Sequence, residues 1–173
     1  IGRCNFNGGI KNGYSINFTK VAGIEAENNI LADCNLEYGV RAILIDTEEE
    51  GKCQKNLTIA RNLFVCPENG QVYTEAVDGC QIVNNLFDCT PTCIILNPDN
   101  TGIKNMDISN NFIGAGSNDD KTTISMSLDG SGGIVTDTSG GGTIAGVKIA
   151  DNYFHRGDYG IRITSPKFTE FDI

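Results

Sequence analysis

The chain has 173 residues, and its 13 Lys plus Arg against 22 Asp plus Glu leave a net charge of −9. That balance excludes a nucleic-acid backbone as the main partner, because phosphate binding calls for clustered positive charge. The length suits one domain with a real core, and no apolar run approaches what is needed to cross a bilayer, so membrane insertion is not expected.

In chain order, one short unit keeps returning. Arg3-Cys4-Asn5-Phe6 reads as the tail of a first copy with Cys4 at a corner, and residues 13–19 alternate as a strand does. Residues 23–31 are the first full copy: a short alternating strand, an Asn, then an apolar pair. Residues 57–64, 80–87, 106–113 and 147–154 repeat it, which puts Asn29, Asn62, Asn85, Asn111 and Asn152 at equivalent corners. Their spacings of 33, 23, 26 and 41 residues suit the coils of a solenoid, some of them carrying loops. Asn tolerates the left-handed backbone of a tight corner, and its amide can bond to the backbone or to the Asn one coil away.

Each copy feeds a further short strand, at 40–45, 72–75, 93–96, 124–128 and 161–163. The stretch 46–52 is an acidic turn, and Asn97-Pro98-Asp99-Asn100-Thr101-Gly102 is another, with Pro98 unable to donate a ladder bond. Glycine-rich segments at 114–121, 129–133 and 137–142 account for the longest spacing. The 21 glycines follow no period, so they mark turns and not collagen. Residues 164–173 break the pattern and read as a cap or linker.

The predicted fold is all-β: a single-stranded right-handed parallel β-helix of roughly six or seven coils, with an Asn ladder at one corner and a height of about 30 Å. Residues 1–173 form one such domain. The chain opens at Ile1 inside what reads as a coil, so a fragment of a longer chain is expected. Of seven Cys, Cys34, Cys66 and Cys89 follow their corner Asn by four or five residues, which predicts a column of mostly reduced thiols in the core, with one or more disulfides as the alternative. No Cys-x-x-Cys or His-rich spacing points to a metal site.

Ile82-Val83-Asn84-Asn85-Leu86-Phe87 and Gly160-Ile161-Arg162-Ile163, with their counterparts elsewhere, resemble the repeats of the right-handed parallel β-helix superfamily. That superfamily holds pectate lyases and other polysaccharide lyases, glycoside hydrolases, uronan epimerases, and bacteriophage tailspikes and adhesins. The resemblance implies a carbohydrate-engaging segment of a tailspike-like virion protein or an extracellular, cell-surface protein, either binding a polysaccharide or serving as a rigid scaffold. It also implies a homotrimer. In the superfamily the strand after the turn that follows the Asn corner belongs to the sugar-groove sheet, which places 40–45, 72–75, 93–96, 124–128 and 161–163 there. The outward residues are then Arg41, Tyr73, Glu75, Ile95, Ser125, Ser127 and Arg162, with Asp46 and Asp129 just past two of the strands.

Three chemistries compete for that groove. A binding or scaffolding module uses Tyr73 to stack on a sugar ring, with Arg41, Ser125, Ser127 and Arg162 as polar contacts. A glycoside hydrolase needs a carboxylate pair, which Glu75 with Asp46 or Asp129 supplies. A uronan lyase or epimerase needs a base and a cation, drawn from Arg41 or Arg162, with Ca²⁺ as the only cofactor in prospect. None of the superfamily's catalytic signatures can be matched residue by residue. The sole His, His155, is read as a surface residue away from the groove.

Overall fold

Strands of three to seven residues cannot bury a face alone and must stack. The computed structural model describes residues 1–7, 14–20, 27–37, 41–47, 51–66, 72–89, 93–115, 132–136, 142–155, 159–163 and 168–173. They wind rung by rung. The first rung holds β1 (Asn5–Asn7), β2 (Tyr14–Lys20) and β3 (Ile30–Ala32); the second β4 (Asn35–Glu37), β5 (Arg41–Thr47) and β6 (Gln54–Ala60). The third holds β7 (Leu63–Cys66), β8 (Val72–Thr74) and β9 (Val77–Val83); the fourth β10 (Leu86–Cys89), β11 (Ile94–Leu96) and β12 (Ile103–Ser109). Next come β13 (Phe112–Ala115), β14 (Gly132–Thr136) and β15 (Ile144–Ala150), and last β16 (Tyr153–His155), β17 (Tyr159–Ile163) and β18 (Phe168–Asp172).

These make three six-stranded parallel sheets: sheet A in the order β1-β4-β7-β10-β13-β16, sheet B as β17-β14-β11-β8-β5-β2, and sheet C as β18-β15-β12-β9-β6-β3. The result is a right-handed parallel β-solenoid. Its extent corrects the expectation of six or seven coils. The first and last rungs have a neighbour on one side only, and between these end layers lie about four turns. A corner motif marks a rung, and a rung at either end is not an enclosed turn.

The interior is a set of columns. Leu31, Ile59, Ile82, Ile108 and Ile149 stack in register across sheet C, and all are buried. On sheet A, Leu36, Phe64, Phe87 and Ile113 stack likewise. The rings of Phe64 and Phe87 lie 4.5 Å apart and within 5° of parallel, an arrangement that registered rungs impose on equal side chains.

At the corner from sheet C to sheet A, Asn62, Asn85, Asn111 and Asn152 form a continuous ladder. Each Oδ1 accepts from the backbone N–H of the corner residue one rung back: Cys34 (3.0 Å), Asn62 (2.9 Å), Asn85 (2.9 Å) and Asn111 (3.0 Å). Each Nδ2 donates to a carbonyl of that preceding rung, at Leu31, Ile59, Ile82 and Ile108. The residue before each corner turns left-handed at Arg3, Asp33, Arg61, Asn84, Asn110 and Asp151, with φ between 54° and 56°.

Asn29 is not in this ladder. Ile30–Ala32 pairs with Thr58–Ala60, so the rung's corner is Asp33-Cys34, and Asn28-Asn29 lies one strand too early. The corner thiol of Cys34 donates back to Ala32 O at 3.2 Å. Cys34 therefore shares no column with Cys66 and Cys89, which are register partners on β7 and β10.

Sheet C carries a second left-handed column that the repeat pattern did not reveal: Asn28, Asn56, Gly79, Asn105, Gly146 and Glu170 all have positive φ. From Asn56 to Gly146, Asn and Gly alternate for a steric reason. A Cβ on Gly79 would sit 2.9 Å from Asn56 Oδ1, and one on Gly146 3.0 Å from Asn105 Oδ1.

Candidate glycan-binding face and the cleft at its edge

The strands 40–45, 72–75, 93–96 and 161–163 expected on one sheet correspond to β5, β8, β11 and β17 of sheet B. The fifth, 124–128, lies outside the described residues, as do Ser125, Ser127 and Asp129, and β14 supplies that rung of the sheet. Arg41 lies on β5 opposite Tyr14, and Arg162 on β17 opposite Val135.

Alternation decides which residues of sheet B face out. Val72 and Thr74 are buried, as are Ile43, Ile45, Ile94 and Leu96, so the intervening Leu44, Tyr73 and Ile95 form an outer column, half-buried and in register. The Tyr73 hydroxyl accepts from Asn97 Nδ2 at 2.6 Å, which fixes the ring's polar end. Glu75 and Asp46 come together at the strand ends. Ile45 pairs with Thr74, and the Glu75 N–H donates to Ile45 O at 2.8 Å, so the two acids follow on adjacent rungs. Asp46 Oδ1 accepts from the N–H of Thr47 at 2.5 Å. The two residues thus occupy equivalent backbone positions on adjacent rungs along one edge of the sheet.

Just past that edge the solenoid opens. The third rung turns from β8 to β9 through residues 75–76 alone, whereas six residues separate the corresponding strands of the rungs on either side, between Thr47 and Gln54 and between Leu96 and Ile103. The short corner leaves a gap between two longer turns, which meet above it where the Gly51 N–H donates to Thr101 Oγ1 at 3.1 Å. The cleft so formed has a volume of about 400 Å³ and is lined by Lys52, Cys53, Lys55, Asp78 and Lys104, among others. Gly51, at φ 78°, has only open space where a Cβ would stand.

Register arranges the charges along one side of this cleft. Glu27 bridges to Lys55, Lys55 pairs with Asp78, and Asp78 with Lys104, an alternation of sign up the sheet. Lys55 Nζ lies 3.4 Å from Glu27 Oε1, and Asp78 Oδ1 accepts from Asn105 Nδ2 at 2.7 Å. Lys104 is exposed and, among the described residues, joins no ion pair. Burial, followed by the Asp78 charge, pushes the Cys53 thiol up, so it stays neutral at physiological pH. The sequence reading missed this cleft; its signal is the two-residue connection Glu75-Ala76 between apolar strand positions, which only a strand alignment brings out.

His155 lies on β16 of sheet A, away from sheet B, next to the stacked rings of Phe112 and Tyr153, 5.1 Å apart. Among the described residues, no group of three or more His, Cys, Asp or Glu is placed to hold a metal ion.

The fold is that of a parallel β-helix, consistent with the pectate-lyase-like and tailspike superfamily. No family model, curated protein or solved structure matches the chain. The solenoid is a rigid all-β scaffold of a kind typical of carbohydrate-engaging proteins.

Proposed function

We propose that the protein is a glycan-binding β-solenoid that holds a polysaccharide along the outer face of sheet B without cleaving it. The observation that carries this reading is the anchored ring of Tyr73, held by Asn97 within the Leu44–Tyr73–Ile95 column and bordered by Asp46 and Glu75. A sugar offers an apolar C–H face and a rim of hydroxyls. An aromatic and aliphatic strip meets the first, and carboxylates and amides meet the second. A scaffold whose strands are locked by neighbouring rungs also orders little on binding, which favours affinity from a modest surface.

The adjacency of Asp46 and Glu75 supports a second reading, glycoside hydrolysis. A retaining pair needs carboxyl groups about 5–5.5 Å apart, and one rung is about 4.8 Å. Hydrolysis also needs the two groups to flank the scissile bond, whereas equivalent positions along one edge approach a sugar from one side. Binding is therefore the better supported function.

Titration calorimetry against a panel of bacterial capsular and uronate-containing glycans, with reducing-end and unsaturated-product assays on the same samples, tests both. Binding without release of ends is expected, weakened about tenfold in Tyr73→Ala. Affinity indifferent to Tyr73→Ala would remove sheet B as the site. Reducing ends released by the wild type and lost in Glu75→Gln would establish the hydrolase instead.

A further inference from the structure

We infer that the lysine-lined cleft beside sheet B is an oxyanion subsite, which takes a sulfate or phosphate ester carried by the bound glycan. The inference deepens the glycan-binding reading and rests on it for the identity of the carrier. Its own footing is the cleft.

That cleft is a consequence of chain length at one corner. Two residues link the strands of the third rung where six link those of each neighbouring rung, and the described residues 51–53 and 100–102 border a recess of about 400 Å³ that is present before any ligand arrives. Its volume falls within the usual range for small-molecule sites. Three of the chain's 13 cationic residues, Lys52, Lys55 and Lys104, converge there on a protein whose net charge is −9. Two of its acids are already engaged, Glu27 with Lys55 and Asp78 with Asn105. Asp78 keeps its negative charge between Lys55 and Lys104, so three lining lysines against two lining acids leave one positive charge in excess, and Lys104 joins no ion pair among the described residues. The neutral Cys53 thiol adds no opposing charge.

The type of cation narrows the ligand. A planar carboxylate is best read by the two-pronged fork of an arginine, and none of the described residues lining this cleft is an arginine. Ammonium groups are point charges, and these come from different rungs: Lys55 and Lys104 stand two rungs apart with Asp78 between them. A tetrahedral group, with oxygens pointing several ways, can meet them from more than one side. The position just past Asn97 and Glu75 lets one glycan chain lie on Tyr73 and place a charged substituent around the corner.

Two measurements test this on the whole chain. In the first, sodium sulfate and sodium phosphate are titrated against sodium chloride at matched ionic strength, and amide chemical shifts of Gly51, Thr101 and Lys104 are followed. In the second, a sulfated galactan, a phosphorylated glycan, their neutral parents and a polyuronate are compared on wild type, Lys104→Glu and Lys104→Gln. Saturable shifts at the cleft are expected, with ester-bearing glycans bound about tenfold more tightly than their parents and that preference lost in both variants. The stronger of the two ester-bearing glycans identifies the group. Equal affinity for ester-bearing and neutral glycans, or a preference that survives Lys104→Glu, overturns the subsite while leaving glycan binding in place. A polyuronate bound as tightly as the esters overturns the choice of a tetrahedral group. Should no glycan bind while the inorganic ions still shift the cleft amides in a Lys104-dependent way, the subsite stands and the glycan carrier falls.

Discussion

Asn85 shows how one corner residue can tie its rung to the rungs on both sides. Its Oδ1 accepts from the Asn62 N–H, its Nδ2 donates to Ile59 O, and its own N–H is taken by Asn111. All of this lies in a site 2% exposed. Truncation strands buried donors and acceptors that water cannot reach, so Asn85→Ala should lower stability by about 2–4 kcal/mol in urea unfolding. Asn29→Ala should change it by no more than about 0.5 kcal/mol, since the contact Asn29 makes with Thr58 is through its backbone oxygen. Equal costs at the two positions would contradict the ladder as described. The pair also shows the limit of reading corners by eye. Asn28-Asn29 copies the dipeptide of Asn84-Asn85, yet the true corner is Asp33-Cys34, where neither residue matches it. Strand register decides the corner, and register follows from which apolar positions fill the core, a property that a dipeptide does not carry.

At the scale of the element, each corner must tolerate a left-handed residue, and in the first three corners, at Arg3, Asp33 and Arg61, that residue is charged. Arg61 donates to both oxygens of Asp33, at 2.7 and 2.9 Å, and these hydrogen bonds hold the Asp33 carboxyl below its usual range. A lowered folded value means that the pair stabilises the fold above the ordinary aspartate range, about 3.9. The contribution is lost as pH falls through the lowered value. The gap in urea midpoint between wild type and Asp33→Asn should thus be open at about pH 6 and closed at about pH 2. The pair is exposed, so high salt at neutral pH should narrow the same gap. A gap unchanged by acid would assign the effect of the substitution to something other than the charge.

Strand existence was legible in the sequence because alternation and turn residues are local signals, whereas the sheet B grouping followed from the resemblance to the β-helix superfamily. The second left-handed column was not legible. Asn56, Gly79, Asn105 and Gly146 look like unrelated residues until the rungs are aligned, whereupon each Gly lies under the side chain of an Asn.

Across the whole molecule the core is a bundle of columns, and each member is packed by the rungs above and below. Phe87 sits between Phe64 and Ile113 with no exposure. Phe87→Ala should therefore cost about 3–5 kcal/mol, readable as a drop in urea midpoint. Because neighbouring rungs stabilise one another in a near-linear array, the loss should reach beyond its own rung and speed amide exchange in β7 and β13 before the end strands β2 and β17 respond. Uniform exchange across all rungs would indicate a single all-or-none unit.

The two-residue corner at Glu75-Ala76 has a consequence for how such a protein can change. The inter-rung hydrogen bonds of this corner are made by Glu75, whose N–H donates to Ile45 O and whose carbonyl accepts from the Asp99 N–H, so residues inserted after it would enter the recess while the columns on either side keep their alignment. Recognition can then be rewritten by insertion or deletion at the rim, one winding at a time, with the load-carrying wall of the cylinder left as it was.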